Sequence, residues 1–325
     1  MADLSTTYLE KKVRNPLFIS SSGLTSTVSS IRELEDAGAG GVVLKSLFEE
    51  QIRIDSNDLH HLGDFPEADD YIINYTRNNT VENYLRLIEG AKEAVDIPVI
   101  ASLNCISSDE WVSFAKLVEE AGADALELNI YFVPVDMKFT SADYENLYFQ
   151  IASKIKKQVG IPVSIKLGQH FTHLPAVVEN LKGYDINSVV LFNRYYAPDL
   201  DIDKLEFTSS EVLSSAAEIR TSLRWIGIIS ALVDGIEISS STGVHDGRAV
   251  IKQILAGAQT VQICSTLYNN GMGYIQTILQ DMEKWMSKMT MDNIESFRGR
   301  LNYKHIPSPA IFERAQFLKY FSSRK

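Results

Sequence analysis

The sequence predicts an α/β fold in which eight parallel strands and the helices between them close into a (β/α)8 TIM barrel. Short β-branched stretches alternate with helical patterns along the chain, which is typical of parallel strand pairing. Eight such stretches can be counted, the number at which a barrel of this kind closes. An Ala-Gly-Ala junction also recurs at residues 37–39, 121–123 and 256–258, where glycine would end a helix just before a strand.

The predicted strands are short apolar stretches bounded by turn residues. They lie at residues 16–21, 41–45, 98–103, 125–129, 162–166, 188–192, 236–240 and 260–264. Helical patterns fill the intervals at residues 81–94, 109–120, 142–159, 175–181 and 248–255. The segment 223–233 fits either a strand or a helix, and its position directly before a strand favours the helix.

The 325 residues are interpreted as one barrel domain, residues 1–325, because barrels of this class commonly exceed about 250 residues undivided. Two loop insertions are expected, at about 47–79 and 194–210. Both follow strands, so both would rise over the C-terminal face of the barrel as candidate lids. From about residue 271 the chain is expected to continue as a helical C-terminal extension.

Composition favours a small-molecule ligand. The net charge of -11 would repel nucleic acid and anionic membranes, and no stretch approaches the roughly 20 apolar residues of a membrane span. The two cysteines, Cys105 and Cys264, are too few for a disulfide framework and lack metal-ligand spacing. We therefore expect a cytoplasmic protein without a metal site.

Polar residues end several of the predicted strands. Lys45, Asn104, Asn129, Lys166 and Asn193 each close or follow an apolar stretch. Strand ends meet at the C-terminal mouth of a barrel, where function is carried. The lysines could instead extend into solvent or pair with a carboxylate at the rim. Two of them on separate strands favour a functional role, whereas for any single asparagine the two interpretations are balanced.

The last two strand ends are rich in small hydroxyl residues. Residues 239–243 read Ser-Ser-Ser-Thr-Gly and residues 264–266 read Cys-Ser-Thr, each before a helix. Barrels often bind a phosphate at this corner through backbone N–H groups. Serine-rich turns also serve as plain helix caps. With the small residues 20–23 at the first strand end, the pattern suggests a phosphorylated, planar cofactor.

The motifs NPLFISSSG, GGVVLKS, ALELN, PVSIKL, LFN and STGVHDGRAVIKQILAGAQTVQICST resemble the dihydroorotate dehydrogenase family, class 1-like, over nearly the whole chain. The resemblance implies an FMN-dependent dehydrogenase acting on a CH–CH bond, with dihydroorotate as the default substrate in pyrimidine biosynthesis, and a homodimer by analogy. It implies that FMN contacts Ser21, Ser22, Gly23, Lys45, Ser46, Asn104, Asn129, Lys166, Gly243, Val244, Ser265 and Thr266. Lys45, Asn129 and Asn193 would also hold a small planar anionic substrate.

The chain departs from the family pattern in the loop after the fourth strand. The family has Asn-x-Ser-Cys-Pro-Asn, or Ser in place of Cys, and that Cys or Ser removes a proton from the substrate. Here Phe132 occupies the base position and Pro134 replaces the last asparagine. Tyr131 and Cys105 are the candidate replacement bases. Tyr131 could equally stack at the mouth with other tyrosines.

Two further departures concern the second substrate loop, Asn-x-x-Gly, which is not evident in residues 69–79, and the phosphate turn. That turn reads Ser-Ser-Thr-Gly instead of Gly-x-Gly-Gly, although its backbone N–H groups could still bind a phosphate.

The leading hypothesis is an FMN-dependent oxidoreductase with Lys45 and Tyr131 as catalytic residues. The alternatives are a flavin-binding barrel that has lost its chemistry and a Schiff-base lyase using Lys166 or Lys45. The electron acceptor and any iron-sulfur partner stay open.

Overall fold

The computed structural model describes residues 2–48, 66–104, 108–195 and 197–313, without the side chains of residues 66–79, 108–111 and 113. Eight parallel strands form a closed ring, because strand Gly41–Val43 pairs on one side with Leu17–Ile19 and on the other with Val99–Asn104. The predicted (β/α)8 barrel is confirmed. The ring consists, in chain order, of strands Leu17–Ile19, Gly41–Val43, Val99–Asn104, Ala125–Asn129, Val163–Leu167, Ser188–Leu191, Glu237–Ser240 and Thr260–Ile263.

Helices lie between the strands, as the alternating pattern predicts. Segment 223–233 lies almost entirely in helix Ile219–Leu232, so its assignment to a helix is confirmed. The predicted helix 142–159 ends earlier, at Lys156. The helices of the described chain are Val28–Asp36, Pro66–Ala94, Ser108–Glu120, Ser141–Lys156, Leu174–Gly183, Ile219–Leu232, Gly247–Ala256, Ser265–Asn270, Tyr274–Lys288 and Ala310–Glu313.

Sequence-local signals explain where several helices begin and end. Thr140 and Asp246 precede their helices in extended conformation, and their side chains accept the N–H groups of Asp143 and Ala249. These bonds satisfy donors that the first turn leaves free. At the other end of helix Gly247–Ala256, Gly257 adopts φ +119°, a left-handed conformation that glycine adopts without strain.

The first predicted insertion, 47–79, is wrong as a continuous loop. Residues Leu47–Phe48 form a short strand beside Val99–Asn104, and a helix already begins at Pro66 and runs to Ala94. Proline suits this first helical position, where no N–H partner is required. Residues 49–65 lie outside the described part. The second insertion holds an antiparallel hairpin of Pro198–Asp201 and Glu206–Ser209.

The N-terminal end of the barrel is covered by a hairpin of Thr6–Tyr8 and Lys11–Val13. Its Tyr8 ring packs edge-to-face on Phe18 with 5.2 Å between ring centroids. Beyond the barrel, helix Tyr274–Lys288 packs closely on helix Gly247–Ala256. Within the described residues, no helix combines the length and apolar character needed to cross a membrane. The covered base leaves the C-terminal mouth as the open end of the barrel.

Candidate active site

A cavity of about 240 Å³ lies in the C-terminal mouth of the barrel. It spans the ends of the first, fifth, sixth, seventh and eighth strands and the second long connection. Its described lining residues are Ser20, Ser21, Lys166, Asn193, Arg194, Val212, Ser214, Ser241, Thr242, Gly243, Val244, Gln262, Ile263, Cys264 and Ser265. The structure therefore brings Ser21, Lys166, Asn193, Gly243, Val244 and Ser265, all expected from the sequence, around one space.

Lys166 forms the floor of this cavity. Its side chain is buried, and its Nζ donates to Ser20 Oγ and to Gln262 Oε1, at 3.0 Å each. The carboxylate of Glu127, also fully buried, lies 3.5 Å from Nζ and accepts a 2.6 Å hydrogen bond from Gln262 Nε2. A buried ammonium needs such a counter-charge and fixed acceptors. Lys166 is thus held as a fixed positive charge at the bottom of the mouth.

A second polar network joins the ends of the first four strands. Ser46 Oγ lies 3.0 Å from Ser21 Oγ and 2.8 Å from Ser102 Oγ. Asn129 Nδ2 donates to both Ser46 and Ser102, at 3.0 Å each. The Oδ1 atom of Asn129 is buried and has no hydrogen-bond partner among the described residues. A buried amide oxygen without a donor is uncommon, so this atom is suited to accept a hydrogen bond from a ligand.

At the opposite side of the cavity, hydroxyl and N–H groups converge on one point. Ser214 Oγ lies 3.1 Å from Ser265 Oγ, 3.2 Å from His245 Nε2 and 3.4 Å from the backbone N of Gly243. Gly243 has φ +75°, and a Cβ there would come within 2.1 Å of the Ile219 nitrogen. Only glycine fits this turn. Such a group of donors is suited to bind a phosphate.

Arg194 fixes the loop that carries Ser214. Its guanidinium donates to the carbonyl oxygens of Glu211 and Val212 at 2.8 and 2.7 Å, and to Glu218 Oε2 at 2.9 Å. Burial acts against ionisation of Glu218, but the N–H of Ser215 and the guanidinium outweigh it and lower the pKa of the carboxyl. The loop is therefore tied to the end of the sixth strand by one planar side chain.

Other expected cofactor residues do not line the cavity. The hydroxyl of Thr266 donates to the His245 carbonyl oxygen at 3.0 Å, and Ser22 caps the turn Gly23–Thr25 through the N–H of Leu24. Gly23 lies against Tyr268, since a Cβ there would approach its hydroxyl to 2.9 Å. These residues shape the backbone at the rim of the cavity.

Cys264 precedes helix Ser265–Asn270 at the cavity edge. Burial raises the pKa of its thiol, and this effect exceeds the opposing influence of Ser22 and of the Lys166 charge. At ordinary pH the residue is therefore a neutral, weakly nucleophilic thiol. The other cysteine, Cys105, lies outside the described residues, so its proximity to the mouth is not described.

Lys45 and Asn104 end the second and third strands on the far side of the mouth. The Lys45 side chain is exposed and makes no ion pair or hydrogen bond with any described residue. Asn104 is half-buried at the end of its strand, opposite Phe48. Lys45 is thus a cation available at the mouth, in contrast to the buried and paired Lys166.

The loop that departs from the family pattern turns its two aromatic residues in different directions. Tyr131 stacks on Tyr195, with 3.4 Å between ring centroids and 19° between ring planes. Phe132 packs edge-to-face on Tyr148 at 5.7 Å. Burial raises the pKa of Tyr148 to about 12 and raises that of Tyr195 further. Phe132 therefore belongs to an aromatic cluster, and of these two residues the loop offers only the Tyr131 hydroxyl for proton transfer.

Sequence analysis missed several residues of the site. Glu127 and Gln262 lie inside buried strands, where a charged or amide side chain is itself an unusual signal. Ser102 likewise interrupts an apolar strand. Ser214 and His245 carried no signal in the sequence, because only folding brings Ser214 to the glycine turn.

Taken together, the closed parallel barrel and the polar cavity at the C-terminal ends of its strands define the class of (β/α)8-barrel enzymes. Within that class the chain belongs to the dihydroorotate dehydrogenase family, whose model matches residues 3–286. The protein is thus a dihydroorotate dehydrogenase-like oxidoreductase.

Curated relatives named as NAD(+)-type and as fumarate-type dihydroorotate dehydrogenases resemble the chain over nearly its whole length. The chain is 28% identical to the dihydroorotate dehydrogenase B (NAD(+)) catalytic subunit of Thermoplasma volcanium over 305 residues, covering 92% of this chain and 98% of the relative. Identity is 26% over 308 residues with the same subunit of Methanothermobacter thermautotrophicus, covering 91% and 97%. It is 24% over 322 residues with the fumarate-dependent dihydroorotate dehydrogenase A of Lactococcus lactis subsp. cremoris, covering 92% and 99%.

Proposed function

We propose that the protein binds FMN in the mouth of the barrel and oxidises a small planar substrate there. The observation that supports this proposal is that one cavity has the Lys166 ammonium on one side and the hydrogen-bonding groups of Gly243, Ser214 and Ser265 on the other. A planar, phosphorylated ligand needs both features. The donor set therefore fits FMN.

Different residues would bind the ring system and the phosphate of FMN. Lys166 would lie at the N1 and O2 edge of the ring, where its charge stabilises negative charge. Ser21, Ser22, Gly23, Lys45, Ser46, Asn104 and Asn129 would surround the ring system. Backbone N–H groups of Gly243 and Val244, with Ser265 and Thr266, would bind the phosphate. Bound FMN would supply the two-electron oxidation by accepting hydride from the substrate.

The substrate would be held by Lys45, Asn129 and Asn193. The exposed Lys45 ammonium would pair with an anionic group of the substrate, and the free Oδ1 of Asn129 would accept a hydrogen bond from it. Tyr131 would serve as the base in its phenolate form: its own proton would first leave to solvent, and Oη would then receive the proton from the substrate carbon. Dihydroorotate, oxidised to orotate in pyrimidine biosynthesis, is the substrate that the family relationship indicates first.

A flavin-binding barrel without dihydroorotate chemistry is the second candidate, and one observation favours it. Phe132 stands at the family's base position and packs on Tyr148, so no acidic or basic group occupies that position. Loss of a well-placed base typically reduces the rate by about 10² to 10⁴. The ion pair of Lys166 with Glu127 argues against Lys166 as the nucleophile of a Schiff-base lyase, since a charged amine is a poor nucleophile. For Lys45, borohydride trapping tests the same alternative.

The test is the visible absorption spectrum of the purified protein, followed by anaerobic addition of dihydroorotate. We expect a flavin spectrum, with bleaching that slows by about 10² or more in Tyr131→Phe. Tyr184→Phe, a half-exposed tyrosine stacked on Phe149, serves as the matched control.

A protein that stays colourless after incubation with FMN would refute the flavin proposal. A yellow protein that dihydroorotate does not bleach would support the second candidate. Trapping of a carbonyl substrate by borohydride would instead indicate the lyase.

A further inference from the structure

A second cavity, of about 290 Å³, opens beside the first, and Tyr131 is the one of its described lining residues that the proposed function uses. It lies between the loop 131–139 and the segment 168–172. Tyr131 lines it and stacks on Tyr195, and Gly168, another lining residue, lies so close to Tyr195 that a Cβ would come within 2.8 Å of its hydroxyl. Because Asn193 and Arg194 line the first cavity, the ring pair lies between the two spaces.

Six of the fourteen described residues that line this second cavity are phenylalanine or tyrosine. They contact one another edge-to-face or tilted: Tyr148 lies 5.2 Å from Phe171, and Phe139 lies 5.5 Å from Tyr144 between ring centroids. Such contacts hold the rings in place before a ligand binds. The six aromatic side chains that line the cavity are Tyr131, Phe132, Phe139, Tyr144, Tyr148 and Phe171.

The charges that face this cavity are negative. Asp136 and Glu145 line it, and no lysine or arginine occurs among its described lining residues, although His170 does. One oxygen of Asp136 accepts the Lys138 N–H at 2.9 Å. Glu145 forms no hydrogen bond or ion pair with a described residue. Its carboxylate is therefore available to a ligand.

We propose that this cavity binds a planar organic cation. Aromatic faces attract a cation through their quadrupoles, and a nearby carboxylate adds a direct counter-charge. The same surroundings disfavour an anion, because two carboxylates would repel it. The site thus has the opposite charge preference to the first cavity, whose floor is Lys166. The proposal goes beyond the proposed function and does not require bound FMN.

Three probes of nearly the same shape test the proposal by calorimetric titration of the full-length protein: benzamidine, a cation, benzamide, which is neutral, and benzoate, an anion. We expect the Kd of benzamidine to be at least about tenfold below that of benzamide. Benzoate can bind at the lysines of the barrel mouth, so its affinity should not change in Tyr144→Leu. Glu145→Gln should weaken benzamidine binding about fivefold and leave benzamide unchanged. Tyr144→Leu should weaken both.

Glu179→Gln provides the matched control, since Glu179 pairs with Lys182 on the surface of helix Leu174–Gly183, away from the cavity lining. It should leave all three affinities unchanged. Equal affinities for benzamidine and benzamide, weaker benzoate binding in Tyr144→Leu, or a benzamidine preference that persists in both Glu145→Gln and Asp136→Asn would overturn the proposal. So would the absence of binding by every probe.

Discussion

Replacement of Glu127 by glutamine should strongly destabilise the folded protein. The substitution keeps the volume and the hydrogen bond to Gln262 but leaves the buried Lys166 ammonium without its counter-charge. At the observed 3.5 Å the attraction amounts to about 5 kcal/mol for an effective dielectric constant of about 20. Removing one partner of a buried pair typically costs about 3–5 kcal/mol. We therefore expect a loss of that size in the free energy of unfolding.

A double-mutant cycle measures the pair directly. Urea unfolding of the FMN-free protein would be compared for the wild type, Glu127→Gln, Lys166→Met and the double variant. The double variant should recover roughly 2–4 kcal/mol relative to the sum of the single losses, because it buries no unpaired charge.

Glu237→Gln is the control for this cycle. Glu237 is a partly buried carboxylate at the start of its strand, where it accepts the Leu9 N–H at 2.7 Å, and it should show no coupling to Lys166→Met. Strictly additive losses for Glu127 and Lys166, with coupling below about 0.5 kcal/mol, would refute the assignment of this ion pair.

Three further outcomes follow from the geometry. Gly243→Ala should lower the free energy of unfolding by more than about 1 kcal/mol and weaken FMN retention in a dialysis assay, because φ +75° and the approach to Ile219 exclude a Cβ; unchanged retention would contradict this. In a Cys105→Ser background, alkylation of Cys264 should accelerate at a higher pH than alkylation of free cysteine does, since burial raises the pKa of its thiol. Acceleration at the same or a lower pH than for free cysteine would contradict the assignment. Asp124, despite an opposing effect of burial, has a lowered pKa because Lys92 and the Val99 N–H bind its carboxylate. Its contribution is therefore present above the unfolded-state pKa and lost as the pH falls through the folded-state pKa, so Asp124→Asn should lower stability near neutral pH and flatten the acid limb of a stability-against-pH curve.

The barrel could be predicted because its strands carry their own signals. The strands are short, largely apolar stretches, and five of them lie at an Ala-Gly-Ala or Ile-Pro-Val junction. Eight such stretches leave few alternatives to closure. Helix Pro66–Ala94 was only half predicted. The helical pattern is evident only from residue 81, and the first part of the helix is rich in Asp and Asn, which have low intrinsic helix propensity.

The sequence predicts those residues of the candidate site that lie at the ends of strands. Lys166 and Gly243 follow from position alone, because strand ends must meet at the mouth of a barrel. The partners of Lys166 could not be assigned in this way, since Glu127 and Gln262 face the barrel interior from within their strands. Ser214 meets Gly243 across 29 residues of intervening chain. No local pattern in the sequence specifies that contact.

Arg194 also determines how the phosphate-type corner can open. Its three donated bonds hold both carbonyl groups before Ser214 and the carboxylate after it. Because one guanidinium makes all of them, a change of its rotamer would break the three bonds together, whereas Ser214 would stay bonded to Ser265 and to the Gly243 nitrogen. The loop around Ser214 is therefore attached on two sides, by Arg194 to the end of the sixth strand and by Ser214 to the ends of the seventh and eighth, and it can move away from the cavity only when both attachments break.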